Sequence, residues 1–255
     1  MWQFQISPMS HKVLELKEGA FIISDAHFSH RREELLAFIE DIHAKKLSPT
    51  QLILMGDIFD ALFGGIPYTY SENRELLKLL NDISMEIELI YLEGNHDFNL
   101  SSLLPNAAVF PIGAQPVEAR YKDKKVYLAH GDFDGAAGYK LYTAFIRNPF
   151  VLFILKYIDL ALDHLILKKV NGHLGKKDDC NRFTGFAAFI KRRLSGRFSC
   201  DYFIEGHFHQ NDSFEVDGFT YINLAAFACN QRYFIIEYSQ ESSVILLEKK
   251  FSKGK

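Results

Sequence analysis

The feature that most constrains the fold of this chain is a short apolar run followed directly by a polar cluster, repeated along the sequence. Five such runs have the length and composition of β-strands: 20–24, 51–55, 88–92, 125–129 and 202–205. Apolar residues at three- and four-residue spacing in 32–46 and 71–83 predict helices between them. This alternation predicts an α/β fold, and closely spaced strands after Phe219 predict a hairpin-rich second sheet.

The polar clusters fall where the predicted strands end. They are Asp25-Ala-His27, Gly56-Asp57, Gly94-Asn95-His96-Asp97, His130-Gly-Asp132 and Gly206-His207-Phe-His209. Ligands of open α/β sheets bind outside the carboxyl ends of the strands, so we expect the clusters to converge in one crevice. The glycines at 56, 94 and 206 are expected to let the backbone turn sharply there.

The side chains of these clusters are typical ligands of divalent metal ions. Carboxylate, carboxamide and imidazole groups without thiolates suit Mn²⁺, Fe²⁺, Zn²⁺ or Mg²⁺. Seven candidates occur: Asp25, His27, Asp57, Asn95, His130, His207 and His209. Seven ligands are too many for one ion and predict two ions that share one carboxylate. Such a pair orients an in-line displacement at phosphorus, which indicates phosphoester hydrolysis.

Composition bounds the class of protein and its surroundings. With 48% hydrophobic residues the chain is expected to form one compact domain over 1–255. Its net charge of −3 gives no general attraction for nucleic acid, so no nucleic-acid partner is expected. Three cysteines without a CxxC pair predict no disulfide and a reducing compartment, with the cytoplasm as the default. The amino-terminal segment shows no secretory pattern.

The middle of the chain departs from the strand-helix rhythm and predicts an inserted helical cap over 135–200. Within it, 148–169 is expected to form one very apolar helix with a narrow polar stripe, lying on an interface or against the body of the protein. Core packing of this helix and acyl-chain or membrane contact remain equal alternatives. The basic run that follows is either a solvated face or an anion site, and Lys176, Lys177 and Arg182 are the candidates for diphosphate or sugar contacts.

The motifs D-x-H, G-D-x-x-D, G-N-H-D, H-G-D and G-H-x-H, in this order over 21–226, resemble those of the calcineurin-like metallophosphoesterase superfamily. The resemblance implies a four-layer αββα sandwich of two mixed sheets with the cap inserted. It implies one metal ion on Asp25, His27, Asp57 and His209. A second ion would lie on Asp57, Asn95, His130 and His207, with Asp57 bridging the two.

Chain length, the cap after H-G-D and the "RNPF" run before the apolar helix are similar to the UDP-2,3-diacylglucosamine diphosphatase family of lipid A synthesis. That resemblance implies hydrolysis of the diphosphate to UMP and 2,3-diacylglucosamine 1-phosphate by a metal-activated hydroxide, with Mn²⁺ as the metal. It also implies peripheral association with the cytoplasmic face of the inner membrane. The family commonly has Arg at the position of His96, and its acidic run after H-G-D is replaced here by "FDGAAG".

Two residues of the third cluster are the catalytic candidates. His96 resembles the superfamily residue that stabilises or protonates the leaving oxygen, and Asp97 is expected to hold the His96 ring in one tautomer. Asn95, His96 and His207 are expected to contact substrate. Asp60 and Asp132 are expected to support the ligands or bind backbone rather than to hold metal.

Two other functions are compatible with the same motifs. The first is a phosphatase or phosphodiesterase for a soluble nucleotide or nucleotide-sugar, which would be insensitive to lipid. The second is a non-catalytic scaffold that uses its apolar surface to bind a protein, although an intact ligand set disfavours it.

Overall fold

A computed structural model describes residues 13–174, 180–237 and 245–252. The strands are β1 Leu14–Glu15, β2 Phe21–Ile23, β3 Gln51–Leu54, β4 Leu62–Phe63, β5 Glu88–Leu92, β6 Asp97–Phe98, β7 Ala108–Phe110, β8 Val117–Tyr121, β9 Lys124–Ala129, β10 Tyr202–Glu205, β11 Asp212–Val216, β12 Phe219–Asn223, β13 Arg232–Ile236 and β14 Leu246–Lys250. The helices are α1 Glu34–His43, α2 Pro67–Glu72, α3 Arg74–Ser84, α4 Ala137–Ile146, α5 Pro149–Ala161, α6 Leu165–Leu174, α7 Phe186–Leu194 and α8 Phe227–Asn230, with a 3₁₀ turn at Ile112–Ala114.

The strands form two six-stranded mixed sheets and a small pair. The first sheet has the order β1-β8-β9-β10-β12-β11, the second has the order β14-β13-β2-β3-β5-β7, and β4 pairs with β6. The five predicted strands are confirmed as β2, β3, β5, β9 and β10. The prediction that the strands after Phe219 build a second sheet of their own is wrong. Instead, β12 pairs with β10 in the first sheet, and β13 pairs with β2 in the second.

The layers follow from the alternation of side chains along each strand. Ile22, Ile53 and Ile90 of the second sheet meet Leu128 and Ile204 of the first in the core between the sheets. The opposite face of the second sheet packs against α1 and α3. The opposite face of the first packs against α7. Because both faces of the central strands are covered, their sequences read as continuous apolar runs. The predicted four-layer αββα sandwich is confirmed.

Helices α4 to α7 lie between β9 and β10, within the predicted cap. The prediction of one long helix over 148–169 is wrong, because the chain turns between α5 and α6 at Asp163 and His164, which both have positive φ. Asp159, a polar residue of this segment, is buried. Its carboxylate accepts hydrogen bonds from the Leu167 N–H at 3.1 Å and the His164 ring at 2.8 Å, and these bonds stabilise the start of α6.

The cysteine prediction is also wrong. Cys180 and Cys229 form a disulfide with a Cα–Cα separation of 5.7 Å, and Cys200 is free. The spacing along the chain hides this pair because 49 residues separate its members. The cysteines therefore no longer indicate a reducing compartment. None of the helices in the described ranges is both long and apolar enough to cross a bilayer.

Candidate metal centre

The predicted ligands occupy the loops that leave β2, β3, β5, β9 and β10, so that both sheets contribute to one site. Parallel pairing of β3 with β2 and β5, and of β9 with β10, brings these loops to common edges. Hydrogen bonds then connect the loops within and between the sheets. The Asp25 N–H donates to the Gly56 carbonyl at 3.1 Å within the second sheet, and the His207 N–H, from the first sheet, donates to the Asp25 carboxylate at 2.9 Å.

Five of the seven predicted ligands have a left-handed backbone conformation. Their φ angles lie between 45° and 63°, and the residues are Asp25, His27, Asp57, His207 and His209. Residues other than glycine adopt this region at a cost in free energy, and such residues cluster at functional sites. At the end of each strand, this conformation changes the direction of the side chain. An extended backbone would not produce that change.

Two groups of side chains correspond to parts of the two predicted ligand sets. Within each group one ligand atom per residue lies within 4.8 Å of the others; the groups are Asp25 with His27 and His209, and Asp57 with His130 and His207. In the second group the His130 Nε2 lies 3.4 Å from both the Asp57 Oδ2 and the Asn95 Oδ1. The His130 Nδ1 donates to the Met55 carbonyl at 2.9 Å, so Nε2 is the nitrogen that faces the other ligands.

The chemistry of this donor set fits divalent cations. Within the described residues, neither ring nitrogen of the buried His27 makes a hydrogen bond. Two carboxylates, Asp25 and Asp57, are buried beside it. Buried ring nitrogens without hydrogen bonds and clustered buried carboxylates are costly inside a protein, and bound cations would satisfy them. The residues present therefore fit a pair of metal ions.

The titration of the cluster follows from burial and from its own charges. Burial alone would raise the pKa of Asp25 and Asp57, but His209 beside Asp25 and His130 beside Asp57 hold both below the usual range. Burial and the neighbouring His130 lower the pKa of His207 to about 4. Burial disfavours the charged form of His130 too, yet Asp57 raises its pKa well above the usual value. Ionised carboxylates and a neutral His207 are the forms that bind metal.

His96 lies at the rim of the cluster. Its side chain forms a third group with His27 and Asp57, and its ring contacts the His27 ring edge-on at a centroid distance of 4.8 Å. The His96 Nδ1 donates to the Asp60 backbone carbonyl at 2.9 Å, and the His96 N–H donates to the Asp57 Oδ1 at 2.8 Å. Since the carbonyl only accepts, Nε2 is the nitrogen free to face a substrate.

The expected contact between Asp97 and the His96 ring is wrong. Both Asp97 oxygens accept backbone N–H bonds from the neighbouring loops, and Oδ2 also accepts the Tyr91 hydroxyl at 2.6 Å. The backbone donors are Asp57 at 3.1 Å, Ile58 at 2.6 Å, Phe59 at 3.2 Å and Gly94 at 2.9 Å. Burial and the Asp57 charge raise the pKa of Asp97 to about 7. The contacts indicate a positioning role for Asp97, and the Asp60 carbonyl orients His96 instead.

The glycines act mainly by close approach rather than by turning. Gly56 has positive φ, but Gly94 does not, and a Cβ at residue 94 would overlap the Asp57 carboxylate. We expect Gly94→Ala to displace Asp57 and to weaken manganese affinity about 10- to 100-fold, measured by calorimetric titration of Mn²⁺. Gly113→Ala is the control, because a Cβ there meets open space. Equal manganese affinity of both variants would contradict the argument.

The remaining predicted residues differ in their position relative to the metal centre. The Asp60 Oδ1 lies 3.7 Å from the His27 Nδ1, and Asp132 accepts the Tyr139 hydroxyl at 2.7 Å, which agrees with supporting roles for both. Lys176 and Lys177 lie outside the described residues. Arg182 is exposed and does not line the described cavities beside the centre. The substrate contacts proposed for these three basic residues remain predictions.

Two cavities meet beside the metal centre. One, of about 360 Å³, is mainly apolar and extends among α4, α5 and α6; its walls include Asn95, His96, Tyr139, Leu155, Leu167 and Val170. The other, of about 460 Å³, is more polar and includes Asn95, Asp132, Tyr139, Arg193, His207 and Phe208. Asn95 and Tyr139 belong to both cavities. Tyr139 was missed in the sequence, since an isolated tyrosine in an apolar helix carries no local signal.

A sequence model of the family described as calcineurin-like phosphoesterase matches residues 20–211. A UDP-2,3-diacylglucosamine hydrolase of Pseudomonas fluorescens is 29% identical over 153 residues, which are 58% of this chain and 61% of that protein. The match therefore spans less than two thirds of that relative. A protein of the same name from Pseudomonas syringae pv. tomato is 25% identical over 195 residues, 74% of this chain and 78% of that one. Among solved structures, an archaeal phosphodiesterase has 13% identity and a TM-score of 0.44, covering 90% of this chain and 98% of its own.

Proposed function

Because the chain belongs to the calcineurin-like phosphoesterase family and is a metal-dependent phosphoester hydrolase, we propose that it cleaves the diphosphate of UDP-2,3-diacylglucosamine. The products are UMP and 2,3-diacylglucosamine 1-phosphate. Relatives named UDP-2,3-diacylglucosamine hydrolase support this substrate.

The observation that carries the proposal is the meeting of an apolar cavity and a more polar one at the metal centre. The apolar cavity has the chemistry for acyl chains, and the more polar cavity has hydrogen-bonding groups and aromatic rings for a nucleotide. Asn95 and Tyr139, which line both, lie where the diphosphate between these two ends would pass. A soluble nucleotide would leave the apolar cavity without a use.

In this function each part of the centre has a defined task. Two divalent ions held by the predicted ligands, with Mn²⁺ as the proposed metal, would lower the pKa of a water molecule and neutralise the phosphoryl oxygens. The water loses one proton to solvent as its oxygen bonds to the phosphorus that carries uridine, and the bond from that phosphorus to the bridging oxygen breaks. His96 in its doubly protonated form donates its Nε2 proton to the departing oxygen. The Asp97 carboxylate holds the loop after β3, and the Asp60 carbonyl holds the His96 ring in the orientation that this proton transfer needs.

The exposed surface of the cap supports action at a membrane. Helices α4, α5 and α6 expose large apolar side chains, among them Leu141, Tyr142, Phe145, Phe150, Phe153, Tyr157, Leu160 and Leu165. Exposed apolar clusters of this kind are typical of contact surfaces. We propose peripheral association with the cytoplasmic face of the inner membrane, where an amphiphilic substrate presents its polar end.

The test is chromatography of nucleotide products after incubation of the Mn²⁺-loaded protein with UDP-2,3-diacylglucosamine. UDP-GlcNAc, which lacks acyl chains, and a sample with EDTA are run alongside. We expect UMP from the acylated substrate, much less from UDP-GlcNAc, and none with EDTA. Equal release from both UDP-sugars, or hydrolysis of simple phosphodiesters alone, would transfer the function to a soluble substrate.

Filling the apolar cavity is expected to affect the acylated substrate selectively. In Leu155→Trp the larger side chain enters the cavity that Leu155 lines, and excluding two methylene groups of an acyl chain would lower kcat/KM about tenfold. Met85→Trp is the control, because Met85 is 73% exposed, lies outside the cavity walls and is not part of the cap. The measurement compares UDP-2,3-diacylglucosamine with bis(p-nitrophenyl) phosphate. An equal loss on both substrates would argue against acyl chains in this cavity.

A further inference from the structure

Arg147 occupies the joint between α4 and α5, beside the metal centre. Its backbone is held on both sides, since its N–H donates to the Thr143 carbonyl at 3.1 Å and its carbonyl accepts from the Asn99 side chain at 2.9 Å. The guanidinium stacks over the Phe98 ring at 5.2 Å. These contacts fix the side chain in one place before any ligand binds.

The guanidinium reaches the loop that carries Asn95. Its Nη2 donates to the Gly94 carbonyl at 2.7 Å, and the nearest carboxylate oxygen, on Asp132, lies 4.0 Å from the same nitrogen. The Arg147 side chain is only 10% exposed. Its Nε and Nη1 groups are buried and make no hydrogen bond within the described residues. Arg147 lines the apolar cavity.

A buried guanidinium with free donors has a defined chemical preference. It stays protonated in proteins, and leaving its N–H groups without acceptors is costly. Anionic oxygens such as those of a phosphate would satisfy them with charge-assisted hydrogen bonds. Because the rest of the cavity is lined mainly by apolar side chains, the ligand that suits both features is a phosphate with an apolar group attached.

We propose that Arg147 binds the phosphate group that stays on the acylated sugar. This inference rests on the proposed function and assigns the orientation of the substrate: the uridine phosphate lies on the metal centre, and the second phosphate lies on Arg147 at the entrance of the apolar cavity. When the bond to the bridging oxygen breaks, that oxygen stays on the second phosphate and takes the proton of His96. Arg147 neutralises the negative charge on the other oxygens of this phosphate and keeps the lipid product in place until it leaves.

The experiment is calorimetric titration of octyl phosphate, below its micelle concentration, into the Mn²⁺-loaded protein saturated with UMP. In Arg147→Gln we expect octyl phosphate to bind about 10- to 100-fold more weakly, as loss of charge-assisted hydrogen bonds implies, with UMP affinity changed less than about threefold. Arg192→Gln, which removes an exposed arginine of α7, is expected to bind like the wild type. Octanol serves as the uncharged probe, and its affinity is expected to be equal in all three proteins.

Competition between octyl phosphate and UMP, or equal affinity for octyl phosphate in the wild type and Arg147→Gln, would overturn the inference. Equal weakening of octanol in Arg147→Gln would also overturn it, because it would show that the variant damages the cavity rather than a phosphate contact. Failure of the proposed function is seen separately as the absence of UMP from UDP-2,3-diacylglucosamine. In that case the octyl phosphate titration without UMP still tests the Arg147 site.

Discussion

Asp57→Asn is expected to lower hydrolysis of bis(p-nitrophenyl) phosphate about 1,000-fold, because stabilisation by the metal charges is worth several kcal/mol. Asp57 is shared by two of the three side-chain groups, and its carboxylate also accepts the His96 N–H at 2.8 Å. Asparagine keeps the shape of the side chain and removes the charge that the two ions would share. The measurements are the hydrolysis rate and the manganese content of the purified protein.

Asp123→Asn is the matched control for this variant. Its carboxylate is 80% exposed and lies 3.7 Å from the Lys124 Nζ, so its replacement is expected to change neither rate nor manganese content. A wild-type rate of Asp57→Asn with unchanged manganese content would contradict a bridging role for Asp57.

Arg193→Met is expected to lower the free energy of unfolding by about 3–5 kcal/mol, because it leaves a buried carboxylate without its partner. Arg193 donates to both oxygens of Glu205, at 2.8 and 2.9 Å, and Glu205 is fully buried. Burial raises the pKa of Glu205, and Arg193 opposes that rise. Since Arg193 is on α7 and also donates to Asp134 at 2.7 Å, it connects the cap to the first sheet. Urea unfolding measures the loss.

Two further variants separate charge from packing. Arg193→Met combined with Glu205→Gln removes the unpaired charge and is expected to recover part of the stability. Arg197→Met, which removes an arginine that is 45% exposed and also bonded to Asp134, is expected to cost less than about 1 kcal/mol. If Arg193→Met were no less stable than Arg197→Met, the buried pair would not hold α7 in place.

The candidate ligand set could be predicted because its information is local. Asp25 and His27, for example, follow a strand whose apolar run is evident within a few residues. The motif also contains the chemistry of the site, since its carboxylates and imidazoles occur in the sequence whatever the fold. The motif does not contain the backbone angles of the ligands or the contacts between the loops. The positive φ of Asp57 and His207, and the contact of Asp97 with the loop after β3 rather than with His96, depend on how the loops meet.

The α/β class, the strand ends that carry the ligands and the metal chemistry are evident from the amino-acid sequence, because strand periodicity and side-chain type act over a few residues. The three-dimensional fold established which sheet β12 and β13 join, where α5 ends, and that Cys180 pairs with Cys229. It also placed Arg147 against Gly94, 53 residues away along the chain. These features depend on contacts between segments that are distant in the sequence. The free energies of such contacts cannot be inferred from a local sequence pattern.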